Sequence, residues 1–257
     1  MGLPLAGLFS LEGRVAVVTG GSSGLGRTIA LTLAEAGAHI TLVARDRARL
    51  EEAAAAVEAL GRRAAWLEAD MADTTRLPEV ARQAAAALGA PDIVVHAAGI
   101  NRRPPLDALT PEDWDVTLAV NLTAPHRLSQ AFAPAMVARG WGRFIHLASL
   151  QSVRALGNSG AYGVSKAGIA QLARVQAEAW SRHGVNSNAI APGFFPTPLT
   201  RAVFDDPARA AALAARTMIG RNGALEDIRG AALFLASRAS DYVTGQLLFV
   251  DGGFSAG

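Results

Sequence analysis

The chain has 257 residues, 51% of them apolar and 18% charged, with a mean hydropathy of +0.24. That is ample material for one large α/β core, and it is not the composition of a disordered chain. The absence of cysteine excludes a disulfide scaffold, a thiolate metal site and cysteine nucleophilic catalysis, and suits a reducing, cytoplasmic setting. The net charge is +2, from 24 basic and 22 acidic residues, with no basic run able to track a phosphate backbone, so no nucleic-acid partner is expected. Residues 1–13 lack a basic segment ahead of an apolar stretch, and no window of about eighteen apolar residues occurs, so the expectation is a soluble, unprocessed chain with no membrane partner.

Short β-branched runs alternate along the chain with Ala/Leu-rich stretches of helical period, the pattern of repeated strand-helix units in a mostly parallel sheet. The first strand is expected at Arg14–Thr19 and the first helix at Gly24–Ala36. Strand His39–Ala44, helix Asp46–Leu60, strand Ala64–Ala69, helix Arg76–Leu88 and strand Asp92–Ala97 follow, with Pro78 placed in a first helical turn. The helical pattern over Pro111–Arg139 contains Pro125 and Pro134, which predict a kink or break. Strand Arg143–Ser149, helix Ala161–His183, strand Asn186–Ile190, helix Glu226–Ala236 and strand Gln246–Val250 complete seven strands. Between them, Pro192–Arg221 has several prolines, two adjacent phenylalanines and no clear period, and reads as a mobile insertion near a ligand. No linker, composition shift or repeat divides the chain, so residues 1–257 read as one domain.

Directly after the first strand stands Thr19-Gly20-Gly21-Ser22-Ser23-Gly24-Leu25-Gly26. Lacking Cβ, Gly20, Gly24 and Gly26 permit a tight turn and let a diphosphate reach N–H groups at a helix N-terminus, where the dipole favours negative charge. The spacing departs from G-x-G-x-x-G, whose third glycine would fall on Ile29. A structural turn without a ligand is the alternative, and the position between first strand and first helix counts against it. The second strand ends Val43-Ala44-Arg45. A carboxylate there would accept from a ribose 2′-hydroxyl, whereas a 2′-phosphate requires a cation. Arg45 therefore reads as a clamp on a 2′-phosphate, assisted by Arg47; the alternative is a solvated arginine.

Of the 24 basic residues 23 are arginine, and Lys166 is the only lysine; Tyr162 and Tyr242 are the only tyrosines. In Ser159-Gly160-Ala161-Tyr162-Gly163-Val164-Ser165-Lys166 the i,i+4 spacing sets Tyr162 and Lys166 on one helix face. A lone lysine among arginines suggests a need for a compact ammonium. Bringing a phenol from a pKa of about 10 to near 7 takes about 4 kcal/mol of preferential phenolate stabilisation, which a sheltered ammonium supplies. The pair reads as a proton-transfer site, with an exposed tyrosine and an incidental lysine as the alternative.

From about Leu8 to Phe254 the sequence resembles the short-chain dehydrogenase/reductase family, in its branch of single-domain enzymes of roughly 250 residues. The motifs carrying the resemblance are Thr19-Gly20-x-x-x-Gly24-x-Gly26, Asp70, Ala97-Ala98-Gly99, Asn121, Ser149, Tyr162-x-x-x-Lys166, Asn188-x-x-x-Pro192-Gly193 and Val250-Asp251-Gly252-Gly253. The resemblance implies Tyr162 as general acid/base, Lys166 as the group that lowers its pKa and binds the nicotinamide ribose, Ser149 orienting the substrate carbonyl and Asn121 positioning a water relay. It implies a cofactor site of Gly20, Ser22, Ser23, Gly24, Leu25, Gly26, Arg45, Ala97, Gly99, Tyr162, Lys166, Pro192 and Gly193. To these it adds Asp70 and Met71 beside the adenine, and Phe195 and Thr197 near the carboxamide and phosphates. The implied fold is a doubly wound, parallel seven-stranded sheet with helices on both faces, Rossmann-like. NADP(H) is the preferred cofactor with NAD as the alternative, no metal is required, and a homotetramer is expected. His96 stands in His96-Ala97-Ala98-Gly99 where the family often has Asn-Asn-Ala-Gly, and reads as a core or strand-end histidine.

Within the family, Phe9-Ser10-Leu11-Glu12-Gly13-Arg14, Gly99-Ile100-Asn101-Arg102-Arg103-Pro104-Pro105 and Asp241-Tyr242-Val243-Thr244-Gly245-Gln246 are similar to gluconate 5-dehydrogenase and related sugar-acid dehydrogenases. That implies hydride transfer between a nicotinamide and a carbonyl or secondary alcohol, with a keto-sugar acid such as 5-ketogluconate as the expected substrate. The alternatives are a 3-oxoacyl-thioester (acyl-carrier-protein) reductase, a broad-range ketone reductase and a non-catalytic NADP-binding sensor. Arg102 or Arg103 is expected to hold a carboxylate at the C-terminal edge of the fourth strand, the alternative being two solvated loop charges. Gln151, Asn158 and Phe194 complete the expected substrate pocket.

Overall fold

The computed structural model describes residues 4–257. Its strands are β1 (Val15–Thr19), β2 (His39–Ala44), β3 (Ala64–Glu68), β4 (Ile93–His96), β5 (Gly142–Leu147), β6 (Val185–Pro192) and β7 (Leu247–Val250). They form one parallel sheet in the order β3-β2-β1-β4-β5-β6-β7. The α-helices are α1 (Leu5–Phe9), α2 (Gly24–Glu35), α3 (Arg47–Ala59), α4 (Leu77–Leu88), α5 (Pro111–Leu118), α6 (Ala124–Arg139), α7 (Gly160–Trp180), α8 (Arg201–Phe204), α9 (Pro207–Ala214) and α10 (Arg229–Ala236).

Helices cover both faces of the sheet, which is why the central strands are apolar at almost every position and do not alternate. All five residues of β1 and all four of β4 are buried. Successive β1 side chains feed opposite cores: Ala16 and Val18 pack among Ile29, Leu33, Leu50 and Leu235, while Val17 packs among Val80, Leu128 and Phe132. The chain thus lays α2, α3 and α10 on one face and α4 and α6 on the other. Strand order reverses between β1 and β4, and the crevice beyond their C-terminal ends is where a doubly wound sheet receives its ligand.

β2 has the expected limits, the other strands differ from the sequence reading by one or two residues at one or both ends, and Pro78 lies in the first turn of α4 as expected. The long pattern over Pro111–Arg139 divides into α5, a π-helical turn at Ala119–Thr123 and α6. The break falls before Pro125 because proline lacks the N–H that an α-helix would donate to the Asn121 carbonyl. Pro134 lies inside α6 without ending it. The segment read as period-less holds two short helices, α8 and α9; α9 starts from an Asp206 cap followed by Pro207.

Beneath the crevice the sheet carries a buried polar cluster. His96 on β4 and His146 on β5 are register partners whose rings stack with centroids 4.9 Å apart. The His96 Nε2 meets Ser129 Oγ at 2.9 Å and the His146 Nε2 meets Gln176 Oε1 at 2.9 Å, while both Nδ1 atoms lack a partner. His96 is therefore a core histidine. Burial pushes His96 well below the usual imidazole value, and His146 down to about 4 with Lys166 adding to the effect. Between the unfolded value of about 6.5 and about 4 the unfolded chain binds the proton that the folded chain refuses, so stability is lost as pH falls through that window. Unfolding midpoints measured across it should show roughly 3 kcal/mol of destabilisation from His146. A His146→Gln variant should flatten the pH dependence; an unchanged slope would contradict the assignment.

Candidate active site

β1 leads straight into the glycine turn and the turn into α2. Gly20 has φ +67°, and a Cβ on it would stand 2.7 Å from the Ala98 main-chain nitrogen. On Gly26 a Cβ would stand 2.2 Å from the Gly20 carbonyl oxygen, so α2 is pressed against the turn and the turn against the chain leaving β4. Ser23 begins α2 without a side-chain cap bond, which leaves the first N–H groups of the helix free for an anion. Gly20, Ser22, Ser23, Gly24, Leu25 and Gly26 line one wall of a cleft of about 1260 Å³ along the C-terminal ends of the strands.

At the far end of this wall the Arg45 Nη1 lies 4.0 Å from the Asp70 Oδ2, both groups being solvent-exposed, with the buried Met71 beside them. Arg47, expected to assist, does not line the cleft. Its guanidinium pairs with Glu51 at 2.9 Å and lies over the Trp66 ring, outside the cleft wall, and the cleft is lined instead by Arg49 one half-turn on.

The other end is built where β5, the π-helical turn and α7 converge. Asn121, 1% exposed, uses its carboxamide twice on the main chain of Ile100, accepting from its N–H at 2.9 Å and donating to its carbonyl at 3.0 Å. The same Nδ2 donates to Ser165 Oγ at 3.0 Å, and Ser165 donates to the Tyr162 carbonyl at 2.7 Å. Lys166 Nζ donates to the Leu147 carbonyl at 2.6 Å, and burial pushes the ammonium down to about 8. A Cβ on Gly99 would lie 3.5 Å from Asn121 Oδ1 and 3.6 Å from Lys166 Nζ, so this glycine sits against both.

Tyr162 is 7% exposed and faces the cleft. Burial raises its phenol above the ordinary value, with the Ser149 hydroxyl and the Arg103 guanidinium pulling it back. The sequence reading expected a phenol lowered by Lys166. Here the ammonium is engaged by the Leu147 carbonyl and stands 5.7 Å from the Tyr162 ring centre, and burial outweighs the groups that lower the phenol. Ser149 opens a 3₁₀ turn at Leu150–Ser152 and accepts from the Gln151 N–H at 3.1 Å. Ser152 Oγ donates to the Lys166 carbonyl at 2.7 Å, fastening that loop to α7.

The two candidate substrate arginines part company. Arg102 pairs with Asp113 at 2.7 Å on the surface, outside the cleft wall. Arg103 lines the cleft, its Nε donating to the Asn158 carbonyl at 3.1 Å and its Nη2 to the Gly157 carbonyl. Asn158, at φ +56°, and Gln151, whose buried Oε1 has no partner, line the same space. Phe194 lines it too, edge-on to Phe254. Pro192 and Gly193 leave β6 into the cleft, where Gly193 donates to the Val250 carbonyl at 2.9 Å; the buried Phe195 and Thr197 follow. Among the cleft residues that the sequence reading missed are Arg49, Asn101 and Arg209. Arg209 stands on α9, whose Asp206-Pro207 start was the available helix signal.

The family model described as "Enoyl-(Acyl carrier protein) reductase" matches residues 20–255. The chain belongs to the short-chain dehydrogenase/reductase family. It is 38% identical to the gluconate 5-dehydrogenase of Gluconobacter oxydans (strain 621H), over 96% of this chain and 97% of that one. It superposes with a TM-score of 0.94 on a gluconate 5-dehydrogenase from Burkholderia cenocepacia J2315 in complex with NADP and tartrate, at 40% identity over 99% of this chain and 100% of that one. A 3-oxoacyl (acyl-carrier-protein) reductase from Agrobacterium tumefaciens C58 with NADP bound is 34% identical, with a TM-score of 0.92 over 97% of each chain.

In this short-chain dehydrogenase/reductase the departure at His96 leaves the exit of β4 intact. Ala97 and Gly99 line the cleft, and Ala98 donates its N–H to Thr19 Oγ1 at 3.3 Å. Among the described residues no helix is long and apolar enough to cross a membrane, and no group of His, Asp and Glu is placed to hold a metal ion.

Proposed function

We propose that the protein is an NADP-dependent oxidoreductase that moves a hydride between the nicotinamide and a carbonyl or secondary alcohol, with a keto-sugar acid such as 5-ketogluconate as substrate. The observation that carries the substrate reading is Arg103: a guanidinium held on two main-chain carbonyls, in the same cleft as Tyr162 and close enough to act on its phenol. Such a cation suits a substrate carboxylate. Tartrate, the hydroxy acid in the Burkholderia complex, belongs to that chemical class.

The cofactor reading rests on the cradle. The glycine turn is too tight for any Cβ at Gly20 or Gly26, the N-terminus of α2 is uncapped by a side chain, and Arg45 supplies a cation at the wall's far end. Gly20, Ser22, Ser23, Gly24, Leu25 and Gly26 would hold the diphosphate, Arg45 the 2′-phosphate, Asp70 and Met71 the adenine. Ala97, Gly99, Lys166, Pro192, Gly193, Phe195 and Thr197 would hold the nicotinamide half. When bound, NADPH supplies the hydride that the carbonyl carbon receives. Tyr162 gives its proton to the carbonyl oxygen, and Ser149, which accepts from the Gln151 N–H and stands beside the Tyr162 phenol, orients that oxygen through its hydroxyl. Lys166 stabilises the phenolate left behind, and Asn121 positions the relay water that returns the proton.

A 3-oxoacyl-thioester reductase is the second reading, favoured by the likeness to the Agrobacterium protein. Its substrate offers no carboxylate to Arg103. The exposed Val164 and Val175 on α7 support the expected homotetramer, and α9, which buries no residue, supports a mobile substrate loop over residues 192–221. Absence of cysteine supports the cytoplasmic setting.

Tyr162→Phe should retain NADPH binding while turnover of 5-ketogluconate falls by at least about 100-fold; unchanged turnover would remove the acid from Tyr162. Titrating both coenzymes should show Arg45→Ala weakening NADPH by roughly 10- to 100-fold and NADH little. Equal losses would reject the phosphate clamp.

A further inference from the structure

Two guanidiniums reach the substrate space, and neither has an acid partner. Arg103 comes from the loop after β4 and Arg209 from α9, and both line the cleft that holds Tyr162. Arg103 bonds only to the Gly157 and Asn158 carbonyls. Among the described residues no Asp or Glu side chain forms an ion pair with Arg209; Asp206 accepts from its main-chain N–H at 3.0 Å as the cap of α9. The contrast lies at the adenine end, where Arg45 faces Asp70 and Arg49 pairs with Asp46 at 3.3 Å.

The two charges also act on each other: burial makes the charged form of Arg103 less favourable, Tyr162 opposes this, and Arg209 adds a smaller effect in the same direction as burial. α9 buries none of its residues, and two side chains donate to its main chain, Asn222 to the Ala210 carbonyl at 2.9 Å and Thr217 to the Ala214 carbonyl at 2.8 Å. Like charges turned into one cleft without an acid are relieved by an anion that accepts from both.

We propose that Arg209 determines substrate specificity together with Arg103: the two guanidiniums grip the anionic group of the substrate and select it over uncharged ketones and thioesters. The proposal rests on the keto-acid reading above and extends it to a residue on the opposite side of the sequence from β4. It also gives α9 a task, since an anion held by Arg209 ties that helix to the body of the protein.

The test compares wild type, Arg209→Gln and Arg209→Lys, loaded with NADP for binding and NADPH for turnover. Tartrate binding is measured by calorimetry, and KM and kcat with 5-ketogluconate and with the uncharged diketone diacetyl. Arg209→Gln should raise the tartrate Kd and the 5-ketogluconate KM by roughly 10- to 100-fold, as for a lost charge-assisted hydrogen bond. Its kcat/KM for diacetyl should stay within about twofold, and Arg209→Lys should recover most of the acid affinity by restoring the charge. Unchanged acid binding in Arg209→Gln overturns the proposal and leaves the keto-acid reading standing. An equal loss on diacetyl also overturns it, by showing a structural role. A wild type that reduces diacetyl but neither binds tartrate nor reduces 5-ketogluconate overturns both.

Discussion

A buried ammonium must find an acceptor or give up its proton, and Lys166 finds the Leu147 carbonyl where β5 ends. That single bond fastens α7 to the sheet at the height of the cleft. Tyr162 lies one helical turn before it, and Ser165 beside it completes the link to Asn121. Ser152 reaches the Lys166 main chain and carries the Ser149 loop with it. A guanidinium would be a poor replacement, being broader, planar and built to bond in two directions at once. The chain uses arginine at every other basic position and lysine here.

Charge is distributed along the cleft by function. Most arginines outside it are matched to acids, as in Arg14 with Asp92, Arg143 with Asp241 and Arg221 with Asp227. Inside it, Arg45 is only weakly paired at one end, the buried Tyr162 stands in the middle, and among the described residues Arg103 and Arg209 have no acid partner. Cations near the phenol favour its anion, and burial favours its neutral form. The balance in the free protein lies with burial, which raises the Tyr162 phenol above its ordinary value.

The sheet was legible because parallel strands buried on both faces appear as short β-branched runs, and because glycine is the only residue the turn after β1 accepts. The Tyr162 and Lys166 pair was legible from spacing and rarity. Other features depend on contacts distant in sequence. Arg102 and Arg103 are neighbours, and only Asp113, placed by the start of α5, shows which of them is spoken for. Arg47 and Arg49 differ in the same way, since Glu51 and Trp66 draw Arg47 off the cleft. The break at Ala119–Thr123 was announced by Pro125, although its position around Asn121 follows from the bonds to Ile100. α9 escaped because it is only eight residues long, buries no residue and stands in a segment rich in proline.

The proposed cleft couples a dinucleotide clamped at its phosphates to an anionic keto substrate. Its most direct test is the initial rate of coenzyme oxidation by the purified wild-type protein, with NADPH or NADH, against 5-ketogluconate and a 3-oxoacyl thioester. The account predicts turnover of the keto acid with NADPH well above that with NADH, and well above that of the thioester. Turnover confined to the thioester, or a preference for NADH, would contradict it.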